Sequence, residues 1–253
     1  MRGGNDSQTF MSGHSKWSQI KHKKGITDVK KGKVFSKLAK MISVAAREGG
    51  GDPNANYKLR MIIDKAKMVN MPSDNVDRAI KKGTGALEGV KMEEVTYEAY
   101  GPGGIALIVE GITDNKNRTV SEIKHLLSSQ GGKFAKTGSV SFLFQKKGII
   151  IVNKEENKFN KENLELAAID AGAEDLRWQD ENILEINTKP EYLEKIKTLL
   201  KQANITIESS SLDWVPMTEI IVEEEKTRGK IERLMEALDE HDDVNEIYSN
   251  LKD

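Results

Sequence analysis

The segment His14-Ser15-Lys16-Trp17-Ser18-Gln19-Ile20-Lys21-His22-Lys23-Lys24 concentrates groups that bind phosphate. Its lysines continue through Lys30, Lys31, Lys33, Lys37 and Lys40, and from Met11 to Lys40 the only acid is Asp28. Such density suits a polyanion. Each lysine that meets a phosphate releases condensed counterion, and that release supplies most non-specific affinity. Trp17 offers a ring on which an exposed base can stack, a contact worth roughly 1–3 kcal/mol. Ser15, Ser18 and Gln19 add hydrogen bonds suited to phosphate or sugar. His14 and His22 add positive charge that depends on pH. The competing reading is a solvated basic face that only confers solubility.

A second constellation is Thr113-Asp114-Asn115-Lys116-Asn117-Arg118-Thr119, a polar junction between an expected strand and an expected helix. A helix N-terminus exposes amides that hold an anion, and Arg118 has the fork to grip a phosphate bidentately. A well-capped connection explains the same residues. The nucleic-acid-binding candidates are therefore His14, Ser15, Lys16, Trp17, Lys21, His22, Lys23, Lys24, Lys30, Lys31, Lys33, Lys37 and Arg118.

Other chemistries find no support. The chain has no cysteine, which removes disulfides, thiolate metal sites and cysteine nucleophiles. His14 and His22 lack a third ligand at metal spacing. His125 sits on a helical stretch, and His241 lies among acids that pair with it. Gly83-Thr84-Gly85-Ala86-Leu87-Glu88-Gly89 follows a helix rather than a strand and lacks dinucleotide spacing. No serine-histidine-acid set or carboxylate pair converges. The expectation is a protein that is not an enzyme, with no cofactor, metal or small-molecule substrate.

Charge is segregated along the chain. Met11–Glu88 carries 17 Lys/Arg against 7 Asp/Glu, for +10, whereas Met217–Asp253 carries 5 against 12, for −7. Between them, Gly89–Gln145 is neutral and Lys146–Pro216 is −4. The formal net charge of −1 conceals a polyanion-binding end and a repelling or self-shielding end. Apolar runs such as Ile105–Val109 fall far short of the roughly 18 residues that span a bilayer, so no membrane partner is expected. Met1–Phe10 has no apolar core of a signal peptide and reads as a disordered leader or tag ahead of Met11. A cytoplasmic protein is expected.

These residues need elements to hold them. Met11–Gly32 reads as an arm with one or two short helical turns. Phe35, Leu38, Ala39, Ile42 and Ala46 repeat at helical spacing, Asn56 caps a second helix, and Pro72-Ser73 opens a third, which gives an all-α module. Strands are expected at Glu94–Tyr100 and Ile105–Ile112 across the Gly101-Pro102-Gly103-Gly104 turn. A helix follows, with Thr119 and Glu122 as its capping box, and then a strand at Ser139–Phe144. A βαββαβ pattern comes next, from Ile149–Val152 to Ile205–Leu212, and suits a ferredoxin-like sandwich. The tail reads as a strand at Glu219–Val222, a helix and a strand at Val244–Tyr248, which return to the middle sheet. The expected fold is α+β multidomain: a basic helical domain at 11–88, an α/β domain at 89–145 plus 217–253, and a ferredoxin-like domain inserted at 146–216.

Several stretches resemble the YebC/PmpR family: MSGHSKWSQIKHKK at Met11, GGGDPNANYKLR at Gly49, NMPSDNVDRAIKKGTG at Asn70, YEAYGPGG at Tyr97, TDNKNRT at Thr113 and GGKFAKTGSVSFLF at Gly131. The likeness runs in order from Met11 onward and rests mainly on pattern from Lys154 to Ser211. Lys40-Met41 stands where the family often carries an Arg-Glu pair. The resemblance implies three domains around a cleft, one inserted in another, and a bacterial or organellar origin, with the mitochondrial matrix the location in the second case. It implies a transcriptional regulator that binds promoter DNA. The alternative is a translation factor, as in mitochondrial relatives, that binds ribosomal RNA and relieves stalled peptide synthesis.

Overall fold

The computed structural model describes residues 28–252 of the protein. The described chain divides into two compact units, one of residues 28–144 with 216–252 and one of residues 145–215. Each sheet is antiparallel in its registered pairs and has four strands.

In the first unit, helices α1 (Asp28–Gly49), α2 (Tyr57–Met68) and α3 (Ser73–Gly83) pack together. Leu38, Ile42, Ala45 and Ala46 of α1 meet Leu59, Ile62 and Ala66 of α2 and Ala79 of α3 in one buried cluster. Asn56 caps α2 as its sequence position suggests. Its Oδ1 accepts from Leu59 N at 3.0 Å, while Nδ2 donates to the carbonyls of Ala45 and Gly50, each at 2.8 Å. Gly83 permits the last turn of α3 to lie against α1, because a Cβ there would stand 2.2 Å from the Ser43 carbonyl oxygen. Residues Asp28–Gly32, expected in an arm with one or two short helical turns, open the continuous helix α1.

The sheet of this unit joins β1 (Glu93–Tyr100), β2 (Ala106–Thr113), β3 (Lys133–Phe134) and β8 (Val244–Ser249) in the order β3-β1-β2-β8. Helix α4 (Lys116–Ser129) and helix α7 (Glu225–Glu240) cover one face. Leu107 and Val109 of β2 meet Ile123 and Leu127 of α4 and Ile231, Leu234 and Leu238 of α7 there. The C-terminal helix and strand thus return to the middle sheet. The Gly101–Gly104 turn places Gly103 at φ 73° and Gly104 at φ 78°, where a side chain is strained.

The second unit runs β4 (Phe144–Asn153), α5 (Lys161–Ala171), β5 (Asp175–Trp178), β6 (Ile183–Thr188), α6 (Leu193–Gln202) and β7 (Ser209–Pro216), with strand order β5-β6-β4-β7. Leu164 and Ala168 of α5 are buried, as are Leu193, Ile196 and Leu200 of α6.

Four local expectations need correction. Thr119 does not cap α4. Asn115 does, accepting from Arg118 N at 3.1 Å, and Thr119 lies buried within the first turn. Ser139–Phe144 is not a strand, because the N–H groups of Gly138, Val140 and Ser141 bond to the Glu98 carboxylate instead of a neighbouring strand. Glu219–Val222 makes one isolated bridge, Ile220 to Leu251, rather than a strand. The last strand of the second unit begins at Ser209, not Ile205, since Ile205 N bonds back to Leu200 O at 2.9 Å and Thr206 N to Asn157 Oδ1 at 2.7 Å.

Replacing Asn56 with Ala removes a cap and strands two inward carbonyls. The expected loss is at least about 2 kcal/mol in urea unfolding of the full chain. A loss below 0.5 kcal/mol, about that of a mild surface change, refutes the role assigned to this side chain.

Candidate nucleic-acid interface

Helix α1 presents Lys33, Lys37 and Lys40 at spacings of four and three, which align them in one stripe. The stripe faces the end of α7. Lys33 Nζ donates to Glu240 O at 3.2 Å and lies 3.3 Å from Glu240 Oε2. Lys37 Nζ donates to Asp239 O at 2.5 Å. Lys40 Nζ donates to Asp242 O and to Asp243 Oδ1, both at 2.9 Å. The basic and acidic ends of the chain therefore neutralise each other here. A second cross-link joins Lys65 of α2 to Glu246 of β8 at 3.2 Å, with both side chains largely buried. A third joins Lys58 of α2 to Glu48 at 2.8 Å and Glu94 at 2.7 Å.

Asp243 is the hub. Its side chain is 6% exposed. Besides Lys40 it receives Arg118 NH2 at 2.9 Å and the Thr119 hydroxyl at 2.8 Å on Oδ2. Burial alone would push this carboxyl up; Lys40, Arg118 and Thr119 outweigh burial and hold it far below its ordinary value. Its backbone is equally committed. The Asp243 carbonyl accepts from Ile112 N at 2.8 Å, and a Cβ on Gly111 would come within 2.2 Å of that oxygen. His241 completes the corner, with Nε2 2.9 Å from Glu122 Oε2 and Nδ1 accepting from Asp243 N at 3.1 Å. Glu122, His241 and Asp243 bring one ligand atom each within 4.8 Å of one another. The Asp243 oxygens already face two cationic side chains.

The candidate residues are distributed as follows. His14, Ser15, Lys16, Trp17, Lys21, His22, Lys23 and Lys24 lie outside the described residues. Lys30, Lys31, Lys33 and Lys37 belong to α1. Lys33 and Lys37 turn to the acidic corner, and Arg118 is held by Asp114 at 2.8 Å as well as by Asp243. The acceptors gripped by Lys33, Lys37 and Arg118 in this structure are the chain's own carboxylates and carbonyls.

Two features escaped sequence reasoning. Arg78, Lys81 and Lys82 of α3 are exposed and share a helix face, and among the described residues none has an ion-pair partner. The signal was present as DRAIKKG, masked by the denser lysines upstream. The other is the buried carboxylate of Glu98, which accepts Gly138 N at 2.7 Å, Val140 N at 2.6 Å and Ser141 N at 3.0 Å. Burial opposes its ionisation, and the three N–H donors prevail, holding it below its ordinary value.

The Asp243 corner is testable by pH. Its folded carboxyl ionises more readily than an unfolded one, so its contribution is complete above the unfolded value of about 3.9 and drains away as pH falls towards the folded value. Asp243→Asn is expected to cost about 3–5 kcal/mol near neutral pH, because it leaves Lys40 and Arg118 facing a neutral group. Denaturant titrations from pH 7 to pH 2.5 should show the gap between wild type and variant closing below about pH 4. A gap that stays constant across that range contradicts the assignment.

The sequence and fold have known counterparts. Residues 15–86 match the family model described as TACO1/YebC protein N-terminal domain, and residues 92–251 match the one described as TACO1/YebC second and third domain. A protein of Halothermothrix orenii named "Probable transcriptional regulatory protein" is 51% identical over 240 residues, or 95% of this chain and 94% of its own. One of Persephonella marina with the same name is 48% identical over 242 residues, 96% of each chain. The crystal structure of the conserved hypothetical protein Aq1575 from Aquifex aeolicus is 44% identical, covers 93% of this chain and 96% of its own, and superposes with a TM-score of 0.83. With both domain models matched in order along one α+β fold, the chain belongs to the YebC/PmpR family.

Proposed function

We propose that this protein is a non-enzymatic, nucleic-acid-binding regulator, acting in the cytoplasm as a DNA-binding transcriptional regulator. The observation that carries the reading is the basic face of α3. Arg78, Lys81 and Lys82 are exposed and make no ion pair among the described residues, although Asp74 and Asp77 precede Arg78 and Lys81 by four positions on the same helix, whereas other lysines of the same helical part are engaged internally. Lys16, Lys21, Lys23 and Lys24 lie in the same basic stretch of sequence. The relatives' name, "Probable transcriptional regulatory protein", agrees with a regulator of gene expression. No described helix is long and apolar enough to cross a membrane. A three-domain organisation, with a ferredoxin-like unit at 146–216 inserted in the middle domain, is part of the same proposal. The strand order β5-β6-β4-β7 supports it.

The alternative is a ribosome-associated factor that binds ribosomal RNA. What favours it is Phe142, exposed on a loop that also carries Lys133 and Lys136. An aromatic ring needs an unstacked base, which folded RNA supplies and B-form duplex does not.

Mobility shift with promoter and scrambled duplexes at about 150 mM salt, alongside sedimentation with ribosomes, separates the readings. Promoter preference supports transcriptional control; equal duplex affinity with ribosome co-migration supports the alternative. The triple substitution Arg78→Glu, Lys81→Glu, Lys82→Glu is expected to weaken every duplex alike and flatten the salt slope by roughly 3. Lys21→Glu, Lys23→Glu and Lys24→Glu together should abolish binding while unfolding stays unchanged. Unaltered affinity and slope in both triple variants would defeat the proposal.

A further inference from the structure

We propose that the loop from Gly131 to Phe144 is a contact surface for single-stranded RNA, in which Phe142 stacks on an unpaired base while Lys133 and Lys136 hold the flanking phosphates. The proposal rests on the nucleic-acid reading above and deepens it by naming a second surface and its ligand.

The argument begins beneath the loop. A carboxylate removed from water must be matched by donors, and Glu98, 6% exposed, finds three of them in the loop backbone. Those bonds fix Gly138, Val140 and Ser141 in one arrangement. The Tyr100 hydroxyl adds a bond to Ser139 O at 2.9 Å, and Ala135 N donates to Glu98 O at 2.8 Å. The loop is thus tied down at five backbone atoms, although β3 at its root is only two residues long. A rigid loop positions what it displays without losing freedom on binding.

What it displays is chemically specific. Gly131–Phe144 contains two lysines and no acid. Lys133 and Lys136 are exposed, and neither has an ion-pair partner among the described residues, in contrast to Lys33, Lys40 and Lys65. Lys133 stands opposite Tyr100 in the β1–β3 register, so the two share a side of the sheet edge. Phe142 is 64% exposed. A lone exposed ring is ordinary on a protein surface. This one follows directly on Ser141, whose N–H is locked to Glu98, so the ring is carried on a fixed backbone. Two exposed lysines and an exposed aromatic ring carried by one tied-down loop backbone are the elements of a base-stacking platform, which a stacked duplex cannot use. The exposed Thr137 hydroxyl offers a donor and an acceptor to a ribose 2′-OH, the group that distinguishes RNA from DNA.

The test uses fluorescence anisotropy of the full chain with a labelled 12-mer of single-stranded RNA, the same sequence as single-stranded DNA, and a blunt DNA duplex. Wild type is expected to bind the RNA more tightly than the single-stranded DNA. Phe142→Ala should weaken RNA binding about fivefold or more and leave the duplex unchanged. Lys133→Gln with Lys136→Gln should lower the RNA salt slope by roughly 1.4. All three side chains are exposed, so circular dichroism should show unchanged folding. Wild-type RNA affinity and slope in both variants overturns the loop proposal and leaves the nucleic-acid reading standing. Equal losses on RNA and duplex overturn the stacking role, and equal wild-type affinity for RNA and single-stranded DNA overturns the choice of RNA. Loss of ribosome co-sedimentation in Phe142→Ala without loss of RNA affinity overturns it in favour of a protein contact. Failure of wild type to bind any of the three probes defeats the broader reading and this proposal together.

Discussion

A carboxylate taken out of water has to be answered by positive charge and hydrogen bonds, and Asp243 is where this protein meets that demand. Lys40 comes from α1, Arg118 and Thr119 from α4, and the main-chain contacts from β2. One side chain thus ties together elements that lie more than 200 residues apart in the chain. The cost of leaving any member unpaired is larger than the gain from pairing it. The corner therefore acts as a constraint on geometry more than as a source of stability. It fixes the direction of α1, and with it the position of the helical part on the middle sheet.

The same principle divides the cations into two populations. Lys33, Lys37, Lys40 and Lys65 reach carboxylates or carbonyls of the C-terminal elements. Arg78, Lys81, Lys82, Lys133 and Lys136 keep their charge towards solvent. A sum over the sequence cannot make this distinction. The +10 of the leading segment is partly cancelled by the −7 of the tail, and among the described residues of that segment Arg78, Lys81 and Lys82 of α3 stay outside these ion pairs. Glu98 repeats the logic of Asp243 in another form, with backbone N–H groups in place of side-chain cations.

The helices were legible because their information is local. Phe35, Leu38 and Ile42 announce their face by spacing alone, and Asn56 announces the start it caps. The return of the C-terminal strand to the middle sheet followed from the rule that one helix and one strand cannot bury a core. What failed was non-local. Ser139–Phe144 has the alternation of a strand, yet its N–H groups are claimed by a carboxylate about 40 residues earlier. Thr119 and Asn115 are both good caps, and Asn115 prevails while Thr119 turns inward to Asp243, which no nearby residue foretells. Of the candidate site, the lysine count was plain in the sequence. Which lysines face an acid depends on how the two ends meet, and that is a property of the fold.

The stripe on α1 has one more role. Helix α7 carries no basic residue in its last turn, and Lys33 and Lys37 donate to the carbonyls of Glu240 and Asp239 that end it. One helix thereby caps the negative pole of another. Lys33 and Glu240 stand 207 residues apart, so during synthesis α1 precedes its partner by roughly 10–40 s at 5–20 residues per second. For that interval the carbonyls of Asp239 and Glu240 are not yet made, and the polyanion nearest to the nascent lysines is the ribosome that is making them.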